Sequence, residues 1–526
     1  MTTRGSQEFG HFRSWFLPVH KNELKLFLPL VLIFFFICFN YHILRAAKDS
    51  LTVTAPSAGA EVIPFMKVWI VLPMALLMTV FFTRLTNKFN TEKIFYIIMS
   101  LFLGFFVIFS TVLFPLRDLL HPHQFADNLE SIFPIGLKGF VALIRNWTYT
   151  VFYVMAELWG TTIMTVLFWG FANEILNVKT AKRFYVLIMI GGNLSAIGAG
   201  AAATAISSFA SKWTNITTAD PWQHSLLLLS GIVIVNGALV IAIFRWLHKN
   251  ILNSPQYKNH LTYNTEKSEE KMSLRKNFAY LAKSKYLLCI ATIVLGYNIC
   301  INLTEVTWKD QLLHIYPEPN GYYSYMGQVT MWVGIASTLI ALISGIMIRK
   351  LSWTFNAMIP PALLLITGIG FFSFLIFKDS PLGIGIATLL GSTPAFVGVL
   401  CGSIQQCVSR ASKYTIFDAT KELTFIPLSK ESKLKGKAAI DGIGSRLGKS
   451  GSAVIYQALF MFFWTVSATA PFIGVILLAV IVAWMGAVCV LGKKFQSLVA
   501  HHETLNIEDF THQKTEAQEV AAKPLS

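Results

Sequence analysis

Charge is what this sequence has least of. Asp, Glu, Lys and Arg make up 13% of its 526 residues, against roughly 25% in an average soluble chain. With 54% hydrophobic residues and a mean hydropathy of +0.57, that deficit excludes a disordered, collagenous or disulfide-scaffold chain. It places the protein in a bilayer. Cysteine is scarce as well. Cys38, Cys289, Cys300, Cys401, Cys407 and Cys489 all sit in apolar runs, never at CxxC or metal-ligand spacing. They read as small hydrophobes and imply no metal, cofactor or redox compartment. HExxH and nucleophile-elbow patterns are missing too. His42 in the first span reads as packing, and no other His lies near the polar stripes described below, where a general base would be needed. An enzyme is therefore not expected. The N-terminal segment lacks a small-residue cleavage site after a short apolar run, so the first helix itself is expected to direct insertion.

Long apolar runs are what the chain has instead. A hydrocarbon core about 30 Å thick takes about 20 apolar residues per helix. On that template six spans are expected near residues 26–46, 62–83, 94–116, 148–171, 184–208 and 225–247. Six more are expected near 286–308, 325–348, 354–377, 383–408, 450–470 and 473–492, with a turn at 468–472. A polar connection at 248–285 divides the chain into halves of six, flanked by an N-terminal segment 1–25 and a polar tail 493–526.

The net charge of +16 is explained mostly by position. Arg84, Lys88 and Lys93, then Lys179, Lys182 and Arg183, then Arg349 and Lys350, then Lys493 and Lys494 fall on one side of the expected topology, as do the Lys and Arg of the central connection. By the positive-inside rule that side, with both termini, is cytoplasmic. Basic residues so dispersed form no stripe for nucleic acid.

An internal repeat accompanies the division. Lys48-Asp49-Ser50-Leu51 follows the first span and Lys309-Asp310-Gln311-Leu312 follows the seventh. Asn173-Glu174-Ile175 after the fourth span corresponds to Lys421-Glu422-Leu423 after the tenth. Helix count, central connection and repeat together predict an all-α polytopic membrane protein of twelve transmembrane helices in two six-helix halves, major-facilitator-like, with substrate at the interface of the halves.

Ionisable side chains inside spans cost about 2.5 to 3.5 kcal/mol each at a helix centre, so each calls for a partner, a cavity or a ligand. Asn298, Asn302, Glu305 and Lys309 lie on one face of the seventh helix. Tyr41, Arg45 and Lys48 repeat the pattern on the first, Tyr149, Tyr153, Glu157 and Thr161 on the fourth, and Gln405, Gln406 and Ser409 on the tenth. Each has a plainer reading. Arg45 and Lys48 could snorkel to the interface, Lys309 with Asp310 could be a solvated loop pair, the tyrosines could be belt aromatics, and the glutamines could be interhelical glue. Glu157 and Glu305 are hardest to explain away, with ion pairing to a Lys as the one competing role.

Gly436 to Gly451 nearly reads as a phosphate loop, but position 443 is Ile where a Walker A motif needs Gly, and no strand precedes it. Arg446 and Lys449 nevertheless place two cations at the start of the eleventh helix, either as cytoplasmic anchors or as an anion site.

These segments, Arg45 to Leu51, Ala156-Glu157-Leu158-Trp159, Asn302 to Lys309, and Gly436 to Asp441 through Gly448 to Gly451, resemble the nucleotide transporter family of plastids and obligate intracellular bacteria, the ATP/ADP antiporters. The resemblance covers about residues 20–495 and is closest to the chlamydial branch; without a Ser/Arg-rich transit extension the chain resembles the bacterial members. It implies that Lys48, Glu157, Glu305 and Lys449 are important for transport. It also implies ATP import against internal ADP without hydrolysis, in a bacterial inner membrane, with no obligate protein partner; whether phosphate travels with ADP stays open. In that setting Arg45, Lys48, Lys309, Arg446 and Lys449 would meet phosphates, with Glu157 and Glu305 as their partners in the empty carrier. Tyr149, Tyr153, Asn302 and Phe168 are adenine candidates. The alternatives are proton-coupled net nucleotide uptake in the same fold and a membrane-embedded enzyme acting on a phosphorylated substrate. The connection 117–145 has no assigned role.

Overall fold

A computed structural model describes residues 19–20, 23–176, 178–214, 220–252, 284–428, 436–437, 440 and 445–500, except the side chains at 178, 179, 182, 214, 349, 445, 446, 499 and 500. The expected N-terminal segment, most of the central connection, the end of the tail and most of the glycine-rich stretch lie outside that set, and so does the side chain of Arg446.

Among the described residues the first half consists of α1 (Leu24–Val53), α2 (Val62–Thr86), α3 (Thr91–Leu113), α4 (Trp147–Ile175), α5 (Val178–Thr214) and α6 (Pro221–Leu252). The second consists of α7 (Lys285–Ile315), α8 (Pro319–Lys350), α9 (Trp353–Phe377), α10 (Pro381–Leu389 with Pro394–Thr424), α11 (Ser445–Phe463) and α12 (Val466–Ala500). Ten are long and apolar enough to cross a membrane singly, and the two parts of α10 make an eleventh span. The polar, glycine-containing first turns of α11 dilute its apolarity, and it lies against its neighbours through Ala453, Tyr456 and Phe460. Local chemistry sets several starts. Asp220 accepts the Trp222 N–H at 2.9 Å ahead of Pro221, and Ser352 accepts that of Phe355 at 3.3 Å. Both satisfy amides that the helix leaves unpaired.

Three expectations are corrected. The helices outrun the apolar stretches that predicted them, so Lys48 and Lys309 are buried positions inside α1 and α7 rather than residues of an interface or a loop. The tenth span is broken by a 78° bend, where Gly391 takes φ +62° and Thr393 caps the second part ahead of Pro394. That part runs through a π-helical turn, Lys413–Phe417, to Thr424, which carries Arg410 inside the helix. The last turn is not at 468–472. The chain reverses at Trp464, φ +59°, Thr465 accepts the Ala468 N–H at 3.2 Å, and Pro471 is accommodated inside α12, as neighbouring membrane helices allow.

The halves meet along two seams. A Cβ on Gly200 of α5 would lie 2.4 Å from the Gly327 carbonyl of α8, and one on Gly334 2.9 Å from the Asn193 carbonyl, a close backbone approach that small residues permit. Ser207 donates to the Asn320 carbonyl at 2.8 Å. On the other side, Gln457 of α11 donates to the Pro64 carbonyl of α2 at 3.0 Å and accepts from Trp69 at 3.2 Å. These contacts gather toward the end of the bundle where α1 and α7 finish, called here the far end. Toward the opposite, Lys/Arg-rich end, Leu72–Thr86 of α2 buries no residue.

The connection 117–145 folds into short helices, Arg117–Leu120, His123–Ile132 and Lys138–Arg145, which cap the far end. Buried Arg145 pairs with Asp127 at 2.7 Å and Glu130 at 2.8 Å. A Cβ on Gly139 would meet the Glu61 carbonyl at 2.6 Å, and one on Gly136 the Phe460 carbonyl at 2.5 Å, so the cap touches both halves. His121 is buried, with Nε2 2.7 Å from the Thr148 hydroxyl. Burial, with His123 and Arg117 nearby, holds its imidazole down to about 4, with Asp118 opposing.

Candidate functional site

Between the halves, α1, α2, α4, α7 and α10 bring charged side chains together. Helical spacing does most of the positioning. Arg45 and Asp49 are four apart on α1, Glu305 and Lys309 four apart on α7, and Tyr153 and Glu157 four apart on α4. Glu305 is the hub, its Oε1 lying 2.8 Å from Lys309 Nζ, 3.0 Å from Arg410 and 3.2 Å from Arg45. Asp49 is shared by the two lysines of the repeat, Lys309 at 2.8 Å and Lys48 at 3.2 Å. Lys48 also reaches Glu157 at 3.2 Å and sits 3.7 Å from the centre of the Tyr153 ring. Lys67 of α2 donates to Asn302 Oδ1 at 2.6 Å, while Asn302 Nδ2 donates to the Asn298 carbonyl at 2.7 Å.

Exposure is graded along the bundle. Asp49, Lys309, Lys48 and Arg410 are buried, whereas the side chains of Arg45 and Glu157 keep 20% and 32% of their surface. Buried Lys48, Asp49 and Lys309 lie toward the far ends of α1 and α7, and the partly exposed Arg45 lies about a turn nearer the Lys/Arg-rich end. It holds five cations, Arg45, Lys48, Lys67, Lys309 and Arg410, against three carboxylates, Asp49, Glu157 and Glu305. Excess positive charge in a low-dielectric setting suits an anionic ligand, because Coulomb attraction there greatly exceeds its value in water.

Of the residues singled out from sequence, Arg45, Lys48, Tyr153, Glu157, Asn302, Glu305 and Lys309 converge here. Lys449, exposed on α11, lies within electrostatic reach of Glu157. Tyr149 does not join them. It packs against Phe114 and His121, ring centres 6.0 and 4.9 Å apart, under the cap. Nor is Phe168 open to a base, being buried against Phe34 at 4.7 Å. The Tyr153 ring already faces an ammonium. The repeat is also unequal: Lys48 and Lys309 both enter the cluster, but Asp310 turns away and accepts from Ser467 at 2.6 Å. Sequence reasoning missed three participants. Lys67, a lone cation in an apolar run, was a visible signal. Asp49 and Arg410 fell just beyond spans drawn too short.

A cluster of charges held between two six-helix halves of membrane-crossing length defines a polytopic membrane transporter of major-facilitator-like architecture. A family model described as "TLC ATP/ADP transporter" matches residues 2–495, and the chain belongs to that family. It is 44% identical over 498 residues to an ADP,ATP carrier protein 1 of Chlamydia pneumoniae, covering 94% of this chain and 96% of the relative. It is 40% identical over 483 residues to the plastidic ATP/ADP-transporter of Solanum tuberosum, covering 92% and 75%. Among solved structures, a bacterial homologue of the iron transporter ferroportin, inward-facing, matches with a TM-score of 0.50 at 14% identity, covering 90% of this chain and 98% of that one; this likeness concerns the fold alone.

Proposed function

We propose that this protein exchanges ATP for ADP by alternating access, importing ATP against internal ADP without hydrolysis. The observation that carries the reading is the interhelical cluster in which five cations face three carboxylates, in a member of a family described as ATP/ADP transporters. We place the Lys/Arg-rich end and both termini in the cytoplasm of a bacterial cell, by the positive-inside rule, so that the present arrangement faces inward.

Nucleotide phosphates entering from that side meet Arg45 and Lys67 before the buried Lys48, Lys309 and Arg410. Phosphate oxygens accept the same charge-assisted hydrogen bonds as Glu157 and Glu305, so loading exchanges partners instead of creating charge. An empty carrier keeps its cations locked on those carboxylates across the halves, which disfavours return without cargo and couples the two fluxes. Lys449 is assigned to the entrance, where its charge attracts nucleotides. Asn302 orients Lys67. Glu157 and Glu305 both contact cations, so neither is assigned as a proton carrier.

The test is uptake of labelled ATP into liposomes holding the purified protein, with ADP, with nothing, or with a pH gradient alone. Uptake that requires internal ADP supports exchange. Accumulation driven by the pH gradient without internal nucleotide replaces it with proton-coupled uptake. No uptake in any condition overturns the transporter reading, and adding phosphate to the lumen shows whether it accompanies ADP.

A further inference from the structure

Lys67 differs from the other cations of the cluster. Arg45, Lys48, Lys309 and Arg410 each lie within 3.2 Å of a carboxylate oxygen. Lys67 has none within ion-pairing distance among the described residues, and its ammonium is held by a neutral amide, Asn302 Oδ1, at 2.6 Å. It is half-buried where α2 meets α7 and α11, beside Asn302 and Ser452, and lies in a π-helical stretch, Met66–Val71, a local irregularity that is frequent at functional sites. The charges within its electrostatic reach are Glu305, Lys309, Glu157 and Lys48. A cation spanning the halves without an acid partner has no evident structural reason to be charged, since a neutral donor would serve Asn302 as well.

We propose that Lys67 is the affinity-setting phosphate cation of the carrier, which takes the outermost phosphate of the nucleotide in place of Asn302. The inference rests on the ATP/ADP reading and deepens it. Its physical content is a division of labour. Phosphate that binds Arg45 or Lys48 displaces a carboxylate, so part of the interaction is spent on that exchange and reports on switching. Phosphate that binds Lys67 displaces only a neutral amide, so the charge-assisted bond appears almost whole in the binding constant. A triphosphate, which extends further and carries more charge, gains more from it than a diphosphate.

The experiment compares wild type with Lys67→Gln, which keeps a donor for Asn302 and removes the charge, and with Lys67→Arg, which keeps the charge. Affinities for ATP, ADP and inorganic phosphate are measured on detergent-purified full-length protein, together with exchange kinetics in liposomes and the melting temperature without nucleotide. The expected result is about ten- to hundredfold weaker ATP binding in Lys67→Gln. A smaller loss is expected for ADP, with a raised KM, a nearly unchanged maximal exchange rate, an unchanged nucleotide-free melting temperature, and recovery of most of the affinity in Lys67→Arg. Nucleotide affinity within twofold of wild type in Lys67→Gln overturns the proposal. A lowered nucleotide-free melting temperature with unchanged affinity also overturns it, and makes Lys67 a brace. Wild type that binds and exchanges no nucleotide overturns instead the ATP/ADP reading on which the proposal stands.

Discussion

Asp49 on α1 pairs with Lys309 on α7 at 2.8 Å, a buried ion pair that joins the two halves just beneath the capped end. Buried pairs add little net stability when intact, but losing one partner strands the other and costs about 3 to 5 kcal/mol. Asp49→Asn is therefore expected to lower the thermal stability of the nucleotide-free carrier, with Lys309 left to Glu305 alone. Melting of the purified variants checks this; equal curves for wild type and Asp49→Asn would show that the pair does not hold the halves together.

Glu305 holds Arg45, Lys309 and Arg410, the cations for which nucleotide phosphate would compete under the proposed function. Glu305→Gln should keep or raise nucleotide affinity while reducing exchange by about tenfold or more, because the empty state loses the partner that locks its cations. Glu157→Gln should act in the same direction through Lys48. Binding and liposome exchange measured side by side decide the matter, and unchanged antiport in both variants is the outcome that sinks partner exchange.

The α5–α8 seam offers a steric test. Any side chain on Gly200 must occupy space 2.4 Å from the Gly327 carbonyl, backbone that cannot step aside. Gly200→Leu is expected to keep the far end from closing, so exchange falls by roughly tenfold or more. In a cysteine-depleted background, cross-linking between cysteines placed at Ser207 and Asn320, whose residues touch at 2.8 Å, should drop in parallel. Full cross-linking with Leu at position 200 would contradict the assignment of this seam as a closed gate.

The cap should respond to acid. In the docked cap the His121 imidazole is held at about 4, below its ordinary value near 6.5, so the undocked state takes up the proton first. Docking is at full strength above about pH 6.5 and weakens as pH falls toward about 4. Hydrogen exchange across 117–145 should rise between neutral pH and pH 5 after correction for intrinsic rates. His121→Asn should flatten that rise; a rise of the same size in the variant would assign it to other groups, Asp118 and His123 among them.

Much of this arrangement was legible in the sequence because an ionisable residue inside an apolar run has few explanations. Glu157, Glu305 and their lysines stood out for that reason, and Lys48 with Lys309 gained weight from the repeat. The omissions have equally physical causes. Apolarity measures the part of a helix that faces lipid, whereas α1, α7 and α10 continue where protein surrounds them, and that continuation holds Asp49, Lys309 and Arg410. A π-helical turn such as Lys413–Phe417 has no signature at a period of 3.6, so the end of α10 was misplaced. The turn expected at 468–472 lies earlier, because the reversal is set by Trp464 and capped by Thr465. Tyr149 matched the spacing of α4 and still went elsewhere, since spacing fixes a face but not a depth.

The glycine seam carries a last implication. Where two helices close through bare backbone at Gly200, Gly327 and Gly334, that stretch of the joint has no side chain with which to inspect a passenger, and the Ser207–Asn320 bond beyond it is made within the protein. It shuts equally well over ATP, ADP or a fully re-paired empty site. Discrimination must then be complete before the joint forms, in the charges beneath it, and the joint acts as a latch that records whether those charges have been satisfied without registering by what.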